Sequence, residues 1–178
     1  MWNHAVFIVS VLAALRVAAT ARAQVPAECK APVDAATKEV TTPHHAYSTR
    51  TGLPGKAPTT GEVIFTGSAS YVLYKGAWKR LPTTTAEAVQ QREDALRTTK
   101  FSGCRRLPDE LVDGAPAMVY ALHTTSDDRS SDVRVWIAKS SGLELREEVD
   151  LDPGGGEAKT HVSTRIDYTN VRAPAGAP

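Results

Sequence analysis

The sequence predicts an α+β domain in which a curved antiparallel sheet wraps one main helix. Three observations predict it. Apolar and polar residues alternate with period two through most of the second half of the chain, Gly-containing turns separate those segments at hairpin spacing, and one stretch alone carries a helix start signal followed by a long run free of Gly and Pro. A sheet whose apolar cover is one helical stripe cannot lie flat, so it should curve around that helix.

Residues 1–23 read as an export signal rather than as part of the fold. The apolar run Ala5 to Leu15 has the length of a signal core, and Ala21-Arg22-Ala23 supplies small residues at the two positions a signal peptidase reads, which places the cut between Ala23 and Gln24. The irregular feature is an opening MWNH without Lys or Arg. An anchoring helix is the alternative, but the run is shorter than the roughly 18 residues a span needs. A lipid-attachment box fails because Glu28 precedes Cys29. The expected organisation is a single domain over 24–172 and a disordered tail over 173–178 (APAGAP). The expected location is the periplasm, with secretion as the alternative. Removing the signal takes two arginines and no acid, so the formal charge of +1 becomes slightly negative, and nothing in the charge balance would hold a nucleic acid.

Within the domain, a short helix fits Val33 to Val40, and His45 to Thr51 can form a strand before the meander that follows. Gly52 to Gly61 is a loop. Glu62–Thr66, Tyr71–Tyr74 and Ala77–Arg80 are short β-prone runs separated by Gly67-Ser68 and Lys75-Gly76, which makes a meander. Thr84 with Glu87 forms a capping box, and good helix formers continue to about Thr99. Val89 and Leu96 share one face of that helix, with Ala88 and Ala95 beside them, so its apolar stripe is thin. After the turn Asp113-Gly114-Ala115-Pro116 comes a strand with Met118, Tyr120 and Leu122 on one side. Then Val133, Val135 and Ile137 alternate with Arg134, Trp136 and Ala138; Leu143, Leu145, Val149 and Leu151 alternate with Glu144, Arg146, Glu148, Asp150 and Asp152; and Val162, Thr164, Ile166 and Tyr168 form a last row. Glu147 alone breaks the apolar side of its strand.

An even cysteine count in an exported chain argues for one bridge, Cys29 to Cys104, closing a loop of about 76 residues and tying the N-terminal segment to the chain after the main helix. No His or Cys lies close enough to either to suggest a metal pair. Catalytic patterns are absent: there is no G-x-S-x-G, and Gly67-Ser68-Ala69-Ser70 is a turn. His44, His45, His123 and His161 have no metal-ligand spacing, and Asp150-Leu151-Asp152 lacks the continuation of a calcium loop. Neither metal nor cofactor is expected. The acids Glu144, Glu148, Asp150 and Asp152 read as a solvated row facing Arg134 and Arg165, and Trp136, on the Arg134 side, as a partly exposed aromatic.

The segments Glu62-Val63-Ile64, Tyr71-Val72-Leu73-Tyr74, Gly76-Ala77-Trp78, Val135-Trp136-Ile137-Ala138-Lys139, Ser141-Gly142-Leu143, Leu145-Arg146 and Ile166-Asp167-Tyr168 resemble, in order and wording, exported LolA-like proteins, the outer-membrane lipoprotein carriers and their relatives. The resemblance covers roughly residues 60–170. It implies an incomplete barrel over an apolar cavity and a non-enzymatic role in holding an acyl or other apolar group, with a lipid or an acylated protein as partner. On that reading Met118, Tyr120, Leu122, Val135, Ile137, Leu145, Val149, Ile166 and Tyr168 line the cavity. It brings no catalytic residue. The alternatives are an envelope interaction or sensor module whose apolar face is filled by its own core, with an envelope protein as partner, and an unrecognised small hydrolase.

Overall fold

The computed structural model describes residues 25–52, 54–126 and 129–176. The expected signal over 1–23 and the last two residues of the expected tail lie outside the described residues. Those residues form nine strands and two α-helices, the first helix preceded by a 3₁₀ turn at Ala27–Cys29. In chain order they are α1 (Lys30–Glu39), β1 (His44–Thr51), β2 (Thr59–Phe65), β3 (Ser70–Tyr74), β4 (Ala77–Arg80), α2 (Thr85–Thr98), β5 (Lys100–Val112), β6 (Ala115–Ser126), β7 (Arg129–Ala138), β8 (Glu144–Asp152) and β9 (Thr160–Asp167).

All strands belong to one antiparallel sheet in the order β4-β3-β2-β1-β9-β8-β7-β6-β5. It is open and curved. Two meanders, β1–β4 and β5–β9, are joined where β1 pairs with β9, so α2 connects one edge of the sheet to the other. Tight two-residue turns carry the β3–β4 and β5–β6 connections: Lys75-Gly76 (φ 52° and 78°) and Asp113-Gly114 (φ 50° and 84°) both have positive φ at two successive positions, the hairpin geometry that matches strand twist and favours Gly second. Main-chain dihedrals thus follow turn residues that the sequence displays.

The main helix begins where its cap requires. The Thr84 hydroxyl accepts from the Glu87 backbone N–H at 3.2 Å while the Glu87 carboxylate accepts from the Thr84 N–H at 2.7 Å, so two otherwise orphaned donors are satisfied. The first helix starts earlier than expected, at Lys30, because the 3₁₀ turn runs straight into it. Cys29 and Cys104 are disulfide-bonded with Cα atoms 5.3 Å apart, fastening that turn to β5.

Strand β5 has no counterpart among the expected elements. Its thirteen residues pair with β6 through two register shifts, between Ser102 and Arg105 and between Leu107 and Glu110, and each shift resets which residues face the core, so no alternation survives in the sequence. A shift in β8 corrects a second expectation. Trp136 pairs with Arg146, but the next residue, Ile137, pairs with Glu144, so Leu145 is the extra residue of a bulge. Leu145 therefore packs on the outer face with Ala117, Val119 and Trp136, away from the helices, and it does not line a helix-side cavity. Glu144 takes the inward place, and at 4% exposure it is no member of a solvated row.

Each face of the sheet carries its own apolar cluster. On the helix side, Ala35 of α1 packs on Leu122, Val135 and Ile137, with Phe101, Cys104, Met118, Tyr120 and Val133 against them. On the outer face, Trp136 is 2% exposed, against the expectation of partial exposure. The Arg134 and Arg146 guanidinium groups lie 4.8 and 4.7 Å from its ring centre, and its Nε1 donates to Glu110 at 2.8 Å. Long basic side chains cover an aromatic that alternation alone marks as facing water. Nor do the acids of β8 use the partners expected: Arg134 pairs with Glu110, and Arg165 with Asp113 at 2.9 Å.

Candidate functional site

The two helices cover the same face of the sheet but pack differently. Helix α1 seats Pro32 and Ala35 in the core, whereas α2 buries none of its residues. A helix with a thin apolar stripe, Ala- and Glu-rich elsewhere, has little to insert between strands. What results is a cavity of about 250 Å³, open to solvent, between α1, α2 and strands β5–β8. Helix α1 contributes Pro32, Val33 and Ala36, and α2 contributes Arg92, Ala95 and Leu96. The floor is Phe101, Leu122, Val133, Val135 and Val149, with Thr124 and Ser131 at one end and Glu144 and Glu147 among the apolar groups.

Of the residues the resemblance placed around a cavity, Leu122, Val135 and Val149 line this one. Met118, Tyr120 and Ile137 are on the same face but packed in the cluster under α1. Ile166 is buried opposite Ala46, further along the sheet. Tyr168 is half-buried, its hydroxyl donating to the Glu144 carbonyl at 2.7 Å and its ring centre 6.1 Å from that of His44 in an edge-on arrangement. Leu145, as above, is on the other face.

The acids were the part sequence reasoning missed. Glu147 pairs opposite Val135 and Glu144 opposite Ile137, so both stand on an apolar floor, and Glu39 at the end of α1 completes a set of three. Burial is the first cause holding the Glu144 carboxyl well above the ordinary carboxylate range, Glu147 and Glu39 push it the same way, and Arg92 opposes them. Glu147 is raised by burial and then by Glu39, again against Arg92. Glu39 is raised by burial but restrained by His44, whose Nε2 is 3.7 Å away, and by Arg92. Burial also raises the Tyr168 phenol. One signal was visible beforehand, the interruption of an apolar row by Glu147; Glu144 was hidden by the bulge.

At the opposite end of β6–β9, His123 faces Asp132 at 2.9 Å and His161 faces Asp150 at 2.8 Å, in a row across four strands on which both histidines have a carboxylate partner. Among the described residues no group of three or more His, Cys, Asp or Glu is arranged to hold a metal ion, and no helix is long and apolar enough to cross a membrane.

Fold and site together define an α+β protein in which two helices roof an apolar, acid-bearing cavity on one face of an open antiparallel sheet. No family model and no curated protein matches the chain. Among solved structures it is similar to lipoprotein LppX of Mycobacterium tuberculosis, at 14% identity over 83% of this chain and 97% of that one, with a TM-score of 0.48. It is similar to a chain of the Pseudomonas aeruginosa MucA/MucB complex, at 13% identity over 82% of this chain and 58% of that one, TM-score 0.49. A LolA superfamily protein of Nitrosomonas europaea is also similar, at 11% identity over 78% of this chain and 91% of that one, TM-score 0.29.

Proposed function

We propose that this chain is an exported, non-enzymatic binding protein that holds an aliphatic group in the cavity between α1, α2 and the sheet. One observation carries the reading: apolar walls from both helices and four strands face an unfilled space beneath a helix that buries none of its own residues. A helix serving only to complete a core would insert side chains there, because unfilled apolar space forfeits dispersion contacts. The volume is just below the roughly 300 Å³ at which drug-sized pockets begin, so it suits a single short chain rather than a whole lipid. The resemblance to LolA-like proteins agrees with such a role, and the signal-like opening of the sequence supports export.

Titration with octanol, followed by calorimetry, tests the proposal. Wild-type protein should bind one equivalent saturably. Leu96→Trp, which enlarges a cavity wall on the unburied helix and leaves the sheet untouched, should lose the binding without a lower melting temperature. Absence of saturable binding by the wild type removes the reading. If the chain then retains an envelope protein in a pull-down, the interaction-module alternative takes its place.

A further inference from the structure

We infer that the cavity takes an aliphatic chain ending in a primary ammonium, with the ammonium held between Glu144 and Glu147. This rests on the reading of the cavity as a binding site and adds the chemistry of the ligand's head.

Glu144 is where the argument starts. It is 4% exposed and lines the cavity, yet among the described residues no hydrogen bond or ion pair engages its carboxylate; the Tyr168 hydroxyl uses only its carbonyl. A carboxylate that serves structure alone is normally paired when buried this deeply, because an unanswered buried charge is costly. Glu147 lines the same space from the same strand. The third acid, Glu39, has His44 beside it. Arg92 is the cation on the cavity wall, and no carboxylate lies within ion-pair distance of it among the described residues. One guanidinium against Glu144 and Glu147 on the cavity wall, with Glu39 near enough to act on both, leaves an excess of negative charge beside an apolar chamber.

That balance selects among head groups. A carboxylate or phosphate head would add a further negative charge beside the three acids. A hydroxyl head would leave the charge unanswered. A primary ammonium has three donors and no acceptor, enough to engage both carboxylates, while its chain lies against Leu122, Val135 and Val149. Burial and mutual repulsion hold both carboxyls above their ordinary range, the condition a cation would relieve.

The test compares octylamine, octanol and octanoic acid at neutral pH, all below the concentrations at which they aggregate. Wild-type protein should bind octylamine at least on the order of tenfold more tightly than octanol, as a charge-assisted pair in a partly dry site predicts, and octanoic acid more weakly than octanol. Glu144→Gln with Glu147→Gln should bring the amine-to-alcohol ratio near one, and Glu148→Gln on the outer face should leave the ratio as in the wild type. Equal binding of amine and alcohol by the wild type overturns the inference and leaves the apolar-cavity reading standing, and so does a ratio that survives in the double variant. Failure of all three ligands to bind removes both. If the double variant does not fold, Glu147→Gln alone must lower the ratio for the inference to hold.

Discussion

Replacing Trp136 by alanine is expected to cost about 3 to 5 kcal/mol, because it empties the centre of the outer cluster and strips Glu110 of its indole donor. Urea denaturation measures it, and a loss below about 1 kcal/mol would mean that the two arginines merely shield a surface residue. The alternation of β7 placed this ring on the correct face; its burial was not legible, since it depends on Arg146 and Glu110 from two other strands. A second residue-scale expectation concerns pH. Glu144, Glu147 and Glu39 each hold a proton more tightly folded than unfolded, so the folded state binds more protons and these groups favour folding most at acid pH. Their contribution fades as pH rises from the ordinary value of 4.5 through the raised folded values. Glu144→Gln cannot ionise, so it should melt above the wild type at neutral pH, with the gap closing near pH 4. A gap that widens toward acid pH would show that Glu144 is stabilised as an anion. Exposed acids held low by their partners, Asp109 and Asp152 among them, slope the opposite way in both proteins, so the difference between the two isolates the buried site.

Elements differ in how much of their cause is local. The capping box and the two-residue turns are complete within a few positions, so the bounds of α2 and of the β3–β4 hairpin could be read directly. Strand β5 could not, because both of its bulges exist only in relation to β6. The bulge in β8 works the same way: alternation assigns Leu145 inward and Glu144 outward, and pairing with β7 reverses both. The disulfide joins the two kinds of element, a locally determined helical turn and a strand defined by its neighbour. Closing a loop between residues 75 positions apart restrains the unfolded chain by roughly 4 kcal/mol. Cys104→Ser is therefore expected to lower the melting temperature on the order of 10 °C. Melts of the oxidised protein with and without reductant should show the same drop. An unchanged melt would show that the turn and α1 are held by Ala35 and its neighbours alone.

At the scale of the whole molecule, the sheet closes no barrel, and the chain crosses from one edge strand, β4, to the other, β5, through α2. The seam that makes one sheet from two meanders, with Ala46 opposite Ile166, links the beginning and end of the domain and leaves no trace in either segment alone. Curvature was legible as a need, since one thin helix cannot cover a flat sheet; that α2 would span the sheet without burying a residue was not. The consequence is an uneven distribution of stability. Strands β6–β8 are paired on both sides and carry the core, whereas α2 is held by its own hydrogen bonds and its cap, so it should open far more readily than the sheet. Native-state hydrogen exchange should find the α2 amides weakly protected and those of β7 protected close to the limit of global unfolding. An aliphatic ligand held as proposed beneath α2 would contact both Leu96 above and Val135 below, and by binding that arrangement it would raise the cost of opening. Saturating octanol is therefore expected to slow exchange in α2 selectively and leave β1–β4, remote from the cavity, unchanged. Slowing spread evenly over all nine strands would instead mean that the ligand acts on global unfolding alone, with α2 already as firmly held as the sheet it covers.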